Sequence, residues 1–342
     1  MNFSAKVYPQ TIWGEKYQGN FEALMADLAK ANVKNIVAPA FQGARIFYSQ
    51  PMDQSENPWS LLALKKICHE RGVGFTTELP LFHDRDYFEK NESLRPQSPD
   101  AKIYSPSDWY RPICPSNDAY MQRRLQFCEE AMQSLAPSLV TVNFLWYPYW
   151  PVGHEWETLG TQAPSYCFCD SCRSRFTADT GLFNAAQDVE AWFAFRSNIL
   201  SEILADLEES AQNLKSPPSL VIEIPPAPTP YFAERLRRLT GIHLEAWKNL
   251  AHVISPQLFY NECNLSIEWA CEAIDELREF GYSLFPQIDL PTSPGDKKEM
   301  RAELHAFLDT LQAAEIGAVM IHSWDTLQDF PEMFDLLAAF SA

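Results

Sequence analysis

The sequence predicts a (β/α)8 barrel. Three observations predict it: eight short apolar runs with strand character, helical stretches between them, and 342 residues without a linker, internal repeat or low-complexity tract. The first strand is expected over Ala5–Trp13, although Pro9 interrupts it. Phe21–Ala31 follows with Leu24, Met25 and Leu28 on one helical face. Asn35–Phe41 is the second strand, an apolar run of the buried type. A helix over Pro58–Arg71 is ended by Gly72, and Val73–Leu79 forms the third strand, with Glu78 near its end.

Pro80 to Pro115 reads as a long irregular segment carrying Pro96, Pro99, Pro106 and Pro112. Loops of that length are uncommon in compact domains and are often functional. Asn117 has the chemistry of an N-cap for a helix reaching Leu135. Ser138–Trp146 is the fourth strand. It empties into the aromatic, Pro-rich loop Tyr147–Pro151, which continues past His154, Glu155 and Glu157 into a cysteine-rich turn. Phe176 to Asn213 is helical with a break near Gly181, and Leu220–Ile224 is the fifth strand. Short helices are expected over Pro230–Leu239 and Leu244–Ala251. Val253–Glu262, Ser283–Asp289 and Gly317–Trp324 complete the strands. Helices over Ile267–Phe280, Lys297–Ala314 and Phe330–Phe340 accompany them. The chain is thus expected to be one domain over 1–342, with protruding regions at 80–115 and 147–185.

Composition narrows the partners. A formal net charge of −18 argues against nucleic acid and anionic membranes, both of which need a basic footprint. No apolar run is long enough to span a bilayer. The first residues lack the basic and apolar regions of a signal peptide. Eight cysteines in a chain of this length do not form a disulfide scaffold, so a reducing cytoplasm is the expected setting. The 10 Trp, 13 Tyr and 22 Phe exceed ordinary core demand, and many cluster near strand ends, where they can stack on a ligand.

Cys167, Cys169 and Cys172 fall within six residues at the spacing Cys-x-Cys-x-x-Cys. Thiolates on one tight turn converge on a soft metal ion, and a closed structural zinc site takes four ligands. Cys114 is the best fourth ligand, because it too sits in a Pro-rich turn just before a helix. The alternative is a set of reduced cysteines without metal.

Active sites of this fold lie at the C-terminal ends of the strands. There the sequence places Glu78, Glu223, Glu262 and Asp289, with Asn143 and Trp146 on the fourth strand and His322, Trp324 and Asp325 on the eighth. A carboxylate inside an apolar strand is costly to bury unless it is paired or used. Several converging on one mouth raise one another's pKa values, which lets an acid and a base coexist at neutral pH. Each has an ordinary alternative. Glu223 can bond rim groups, Glu262 can cap a helix, Asp289 can be a turn residue, Asp325 an N-cap and His322 a structural ring.

The pairing of Arg111–Asn117, with Cys114-Pro115 at its centre, and the Cys167–Cys172 turn with Phe176 resembles the zinc-binding cysteines of glycoside hydrolase family 42 β-galactosidases. The resemblance implies a structural zinc on Cys114, Cys167, Cys169 and Cys172 near the barrel mouth. Leu244–Trp247, Val253–Pro256, Tyr260-Asn261 and Val319–Trp324 resemble later strand segments of a broader group of glycosidase-like barrels. Two departures stand out. That family carries an Asn-Glu pair after strand four, whereas this chain has Asn143-Phe144, with Glu155 and Glu157 as the next acids. Its clan's nucleophile is a Glu after strand seven, where this chain has Asp289.

The expected function is a glycosidase-like enzyme acting on an oligosaccharide or glycoconjugate, which needs two carboxyl groups across the scissile bond. Asp289 is the expected nucleophile or base. Glu262 or Glu223 is the expected general acid, with Glu155 a third candidate. Trp146, Tyr147, Trp150 and Trp324 would stack on sugar faces. Glu78, Asn143, Tyr260, His322 and Asp325 would complete the binding surface. Two other readings follow from the same residues. One is a carbohydrate-binding barrel without catalysis. The other is a sugar isomerase or epimerase holding Mg²⁺ or Mn²⁺ on Glu223, Glu262 and Asp289.

Overall fold

The alternation of strand and helix closes into a parallel barrel. The computed structural model describes residues 1–48, 60–106, 109–151, 156–161, 166–183, 185, 187–290 and 297–341. The strands are β1 (Asn2–Lys6), β2 (Val33–Pro39), β3 (Gly74–Pro80), β4 (Leu139–Asn143), β5 (Ser219–Ile224), β6 (Val253–Leu258), β7 in two pieces (Ser283–Leu284 and Gln287–Asp289) and β8 (Ala318–His322). They pair in chain order, and β8 returns to β1 with Ala318 opposite Asn2 and Ile321 opposite Ala5. Closure leaves the barrel no unpaired edge. No helix among the described residues is long and apolar enough to cross a membrane.

Side chains alternate along a strand, and this period of two builds the barrel in layers. Outward residues such as Phe3, Ala5, Ile36, Val140, Val142, Ile222, Ile254, Val319 and Ile321 are buried in the main core. Each large one contributes about 1.5–3 kcal/mol by leaving water. Inside, Val37, Val221, Phe285 and Met320 form a small apolar layer. One pleat further along their strands the inward positions turn polar, with Glu223 two residues after Val221 and His322 two after Met320. The barrel interior therefore carries a small apolar layer and opens above on charged and amide groups.

Local chemistry sets where elements start and stop, and it moves several expected boundaries. The first strand ends at Lys6, and Pro9–Trp13 is a short helix with Pro9 in its first turn. Proline suits that position, because its φ is preset and the missing N–H has no partner to lose there. β4 stops at Asn143 because Phe144 takes a positive φ of 57°. β6 stops at Leu258 and β8 at His322, short of Glu262 and Trp324. The helix expected from Pro58 is observed over Leu61–Glu70, and Pro58 itself lies outside the described residues. The segment expected to be irregular after β3 contains the helix Arg85–Lys90, because Asp84 caps it by accepting from Tyr87 N–H at 3.0 Å. Asp84 also pairs with buried Arg124. Asn117 caps Asp118–Leu135 as its chemistry suggests. Gly181, in the left-handed conformation, ends Asp170–Thr180 before Val189–Gln212 begins.

Gly241 ends the helix Phe232–Thr240 at φ 84°, and a Cβ there would meet Leu200, Tyr147 and Arg196 at 3.1–3.3 Å. Gly241→Ala is therefore expected to combine left-handed strain with crowding. The cost should be about 1–3 kcal/mol, read as a lower urea midpoint. An unchanged midpoint would show that this packing can relax.

Candidate active site and cysteine cluster

The polar layer at the barrel mouth is built around Lys6. Its side chain is 2 % exposed, and its ammonium lies 3.0 Å from Glu78 Oε1 and 3.4 Å from Glu223 Oε2. Asn143 Nδ2 donates to Glu78 Oε1 at 2.8 Å, and Gln257 Nε2 lies 3.4 Å from both Asn143 Oδ1 and Glu223 Oε2. Five strands thus contribute one link each. The second oxygens, Glu78 Oε2 and Glu223 Oε1, are buried without a partner among the described residues. Two carboxylates share one ammonium. Burial works against charge on Lys6, but Glu223 and Glu78 outweigh it and raise its pKa, so Lys6 stays protonated. Burial raises the pKa of Glu78 above the usual carboxylate value, against the pull of Lys6 and Asn143, while Glu223 adds to the rise.

Above this floor lies a cleft of about 710 Å³ lined by Lys6, Glu78 and Asn143 below, and by His83, Trp109, Phe144 and Trp150 on one side. Gln42, Arg45, Arg85, Asp86 and Glu262 also border it. The aromatic side is continuous. Trp109 and Trp150 meet edge to face at 5.0 Å, and His83 stacks on Tyr110 at 5.9 Å. Trp109 remains 48 % exposed and lines the cleft, so part of its indole is accessible to a ligand. His83 Nδ1 accepts from Arg111 N–H at 3.1 Å, which fixes its proton on Nε2. Burial, with the charges of Arg111 and Arg124, pushes its pKa down to about 4. Across the cleft, His322 Nε2 meets Tyr8 OH at 2.9 Å. Burial and then the charge of Lys6 push its pKa down to about 3. Both imidazoles are neutral at pH 7 and act as hydrogen-bonding groups, not as cations.

The structure distributes the predicted residues unevenly. Glu78, Asn143, Trp150, Glu262 and His322 line the cleft. Glu223 is fully buried behind Lys6. Asp289 is also buried and accepts from the backbone N–H groups of Glu262 at 2.6 Å and Asn261 at 3.3 Å. Burial lifts its pKa to about 6 against those donors. It is placed to shape the turn that presents Glu262. Trp146, Tyr147, Tyr260 and Trp324 are buried off the cleft surface. Tyr147 OH bonds Ser116 Oγ at 2.7 Å, and Trp324 Nε1 donates to Tyr17 OH at 3.2 Å. Asp325 is exposed in the first turn of the helix Trp324–Gln328 and accepts from Thr11 Oγ1 at 2.6 Å. Glu155 lies outside the described residues, as do His154 and the side chain of Glu157.

Sequence reasoning missed Lys6, Gln257, His83 and Trp109. For Lys6 a signal existed. A lysine between Ala5 and Val7 in an apolar run invites the same question as a buried glutamate. Trp109 and His83 carried none, since their meeting depends on how the segment after β3 folds back, with His83 bridging to Pro112.

Beside the cleft wall, Cys114, Cys167, Cys169 and Cys172 are all buried, with every sulfur within 4.8 Å of the others. Cys114 lies 3.2 Å from Cys172 and 3.7 Å from Cys169. These distances are too long for disulfides at about 2.05 Å. They approach the separation of about 3.8 Å set by tetrahedral sulfurs about 2.3 Å from zinc. The donor set fits one ion in a closed site. Among the described residues no other group of three or more His, Cys, Asp or Glu side chains is gathered tightly enough to hold one. Two helix starts make the site: Cys169 is the N-cap of Asp170–Thr180, and Cys114 precedes the cap of Asp118–Leu135. Next to it, Phe168 stacks on Trp192 at 4.9 Å, and its N–H donates to Gln97 O at 2.7 Å.

No protein-family model matches the sequence, and no curated protein matches it. Solved structures do match in shape. The PgaB (BpsB) glycoside hydrolase domain from Bordetella bronchiseptica superposes with a TM-score of 0.72 at 11% identity, over 100% of this chain and 99% of that one. The fold is shared with glycoside hydrolase barrels. A β-galactosidase from the psychrophilic Marinomonas ef1 gives a TM-score of 0.65 at 10% identity, over 95% of this chain. The α-L-fucosidase isoenzyme 2 from Paenibacillus thiaminolyticus gives 0.65 at 13%, over 100%. This chain spans only 54% and 49% of those two proteins.

Proposed function

We propose that the chain is a glycosidase-like enzyme acting on an oligosaccharide or glycoconjugate bound in the cleft over Glu78. The observation that carries this is the carboxyl of Glu78, lifted in pKa by burial, at the floor of a cleft with Glu262 on its rim. A carboxyl whose pKa burial raises is shifted toward the proton-donor role, and a second, solvated carboxylate is what glycoside cleavage requires beside it. In this reading Glu78 is the general acid and Glu262 the base or nucleophile. Asp289 positions the Glu262 turn, and Glu223 tunes Glu78 through Lys6. Trp109 and Trp150 offer the faces on which sugar rings stack. The cysteine spacing that resembles family 42 supports the same class. β-Galactosidase activity is not part of the proposal, since Phe144 stands where that family has its acid.

The test is product release from a panel of oligosaccharides and aryl glycosides. Glu78→Gln and Glu262→Gln are each expected to lower turnover about 100-fold; an unchanged melting profile is expected of Glu262→Gln alone, since Glu78 belongs to the buried set around Lys6. Asp289→Asn should cost less and act through KM and kcat together. Full activity in both glutamine variants would remove the assignment. A second reading, a sugar-binding barrel without turnover, draws on the pairing of Glu78 with Lys6 at 3.0 Å, which favours its ionised form. Saturable heat of binding with no product over long incubation would select it.

A further inference from the structure

Arg196, on the helix Val189–Gln212, is fully buried, and among the described residues its polar contacts lack a carboxylate. Its guanidinium donates to three backbone carbonyls: Arg238 O at 3.1 Å, Leu239 O at 3.0 Å and Tyr166 O at 3.3 Å. It sits 4.5 Å from the ring centre of Tyr147. Its Nε has no partner among the described residues. A buried charge without a counter-charge is strongly destabilising. Two of the carbonyls belong to the end of the helix Phe232–Thr240, whose dipole supplies only a partial negative charge. The missing charge must come from elsewhere.

The cysteine cluster is joined to Arg196 through two residues, Tyr166 and Tyr147. Tyr166, whose carbonyl Arg196 holds, precedes the ligand turn directly. Tyr147, which Arg196 covers, bonds Ser116, and Ser116 accepts from Cys172 Sγ at 3.4 Å. The other arginines beside the turn lie at the surface: Arg173 donates to Pro99 O at 3.3 Å, and Arg175 is engaged by Asp118 and Glu202. Four thiols that take up one divalent ion release four protons and become a tetrathiolate complex of charge 2−. Such a complex, buried, needs a cation as much as Arg196 needs an anion.

We infer that Arg196 is the counter-cation of a tetrathiolate metal centre at Cys114, Cys167, Cys169 and Cys172. It does not touch the ion. It offsets the charge of the complex and, through Tyr166 O and Tyr147, holds the ligand turn against the barrel wall. Partners just outside the ligands typically change metal affinity 10–100-fold, and a buried charge belongs at the upper part of that range.

The experiment uses the full chain loaded with zinc, with zinc content by mass spectrometry and release to a chromogenic chelator as readouts. The wild type is expected to hold one zinc per chain. Arg196→Met should weaken zinc binding 10- to 100-fold. Arg196→Lys, which keeps the charge but loses the three-carbonyl fork, should melt at a lower temperature yet stay within a few-fold of wild-type affinity. Wild-type zinc retention in Arg196→Met overturns the inference, as does a wild type without tight zinc. If Arg196→Met does not fold, Arg196→Lys decides alone: near-wild-type release supports the role of charge, and a tenfold loss refutes it. None of these outcomes depends on whether the chain cleaves a sugar.

Discussion

Replacing Lys6 with methionine is expected to give a protein much weaker than wild type at neutral pH and close to it in acid. The ammonium stands 3.0 Å from Glu78 and 3.4 Å from Glu223, and both carboxylates are buried. Methionine fills similar space but leaves two like charges with no cation between them. Removing one member of such a buried set costs about 3–5 kcal/mol. The pH course follows from the direction of the shift. The folded pKa of Glu78 is already raised by burial, with Lys6 opposing the rise. Without Lys6 it climbs further above the unfolded value of about 4.3. A carboxyl whose pKa is raised by folding favours the fold below its unfolded pKa. That contribution is lost as pH rises through the folded pKa. Melting curves of both proteins from pH 4 to pH 8 should therefore diverge as pH increases. Parallel curves would mean that the carboxylates find other partners and that Lys6 is not the hub of the floor.

If the four cysteines hold an ion, removing it should have a comparable effect by a different route. Cys172→Ser removes a cluster thiol that is fully buried in the first turn of the helix Asp170–Thr180. Zinc binding to small structural sites is worth about 10–16 kcal/mol in isolated peptides. Here the barrel holds part of the turn in place, so a loss of several kcal/mol is expected. The wild type should melt several degrees lower after chelation, and Cys172→Ser should melt at that lower temperature with or without chelator. Tryptophan emission should shift as well, because Trp192 stacks on Phe168 inside the cysteine turn. A wild type whose melting ignores chelator, and whose four cluster thiols react immediately with a thiol reagent, would rule out a resident ion.

Strand count and barrel class were readable because period-two and helical patterns survive any error at the ends. The ends were not, because single residues decide them. Pro9 starts a helix, Phe144 takes a positive φ and Asp84 caps a helix in a segment whose prolines suggest a loop. Of the carboxylates, Glu78 could be placed at the mouth from its strand position, and its partners Lys6 and Asn143 share its inward parity on β1 and β4. Aromatic residues were harder. Trp146 and Tyr147 are core and Trp150 is cleft wall, although they are near neighbours in sequence. Composition cannot separate the two, since the same ring serves both purposes. The cysteine quartet was visible because spacing on a turn is a local property. Arg196 was not, since its meaning lies in the absence of a carboxylate around it.

The cysteine cluster also has a consequence for the chain as a polymer. Cys114 lies before the helix Asp118–Leu135, and Cys167 lies beyond β4 and its loop. An ion bound to both ends ties this stretch, one helix and one barrel strand on the order of fifty residues long, into a ring. If the ring persists when the rest unfolds, the denatured chain has far fewer arrangements, a restriction of about 4 kcal/mol by loop-closure entropy. β4, which carries Asn143 at its tip, would then begin every refolding attempt already tethered to the wall it will join.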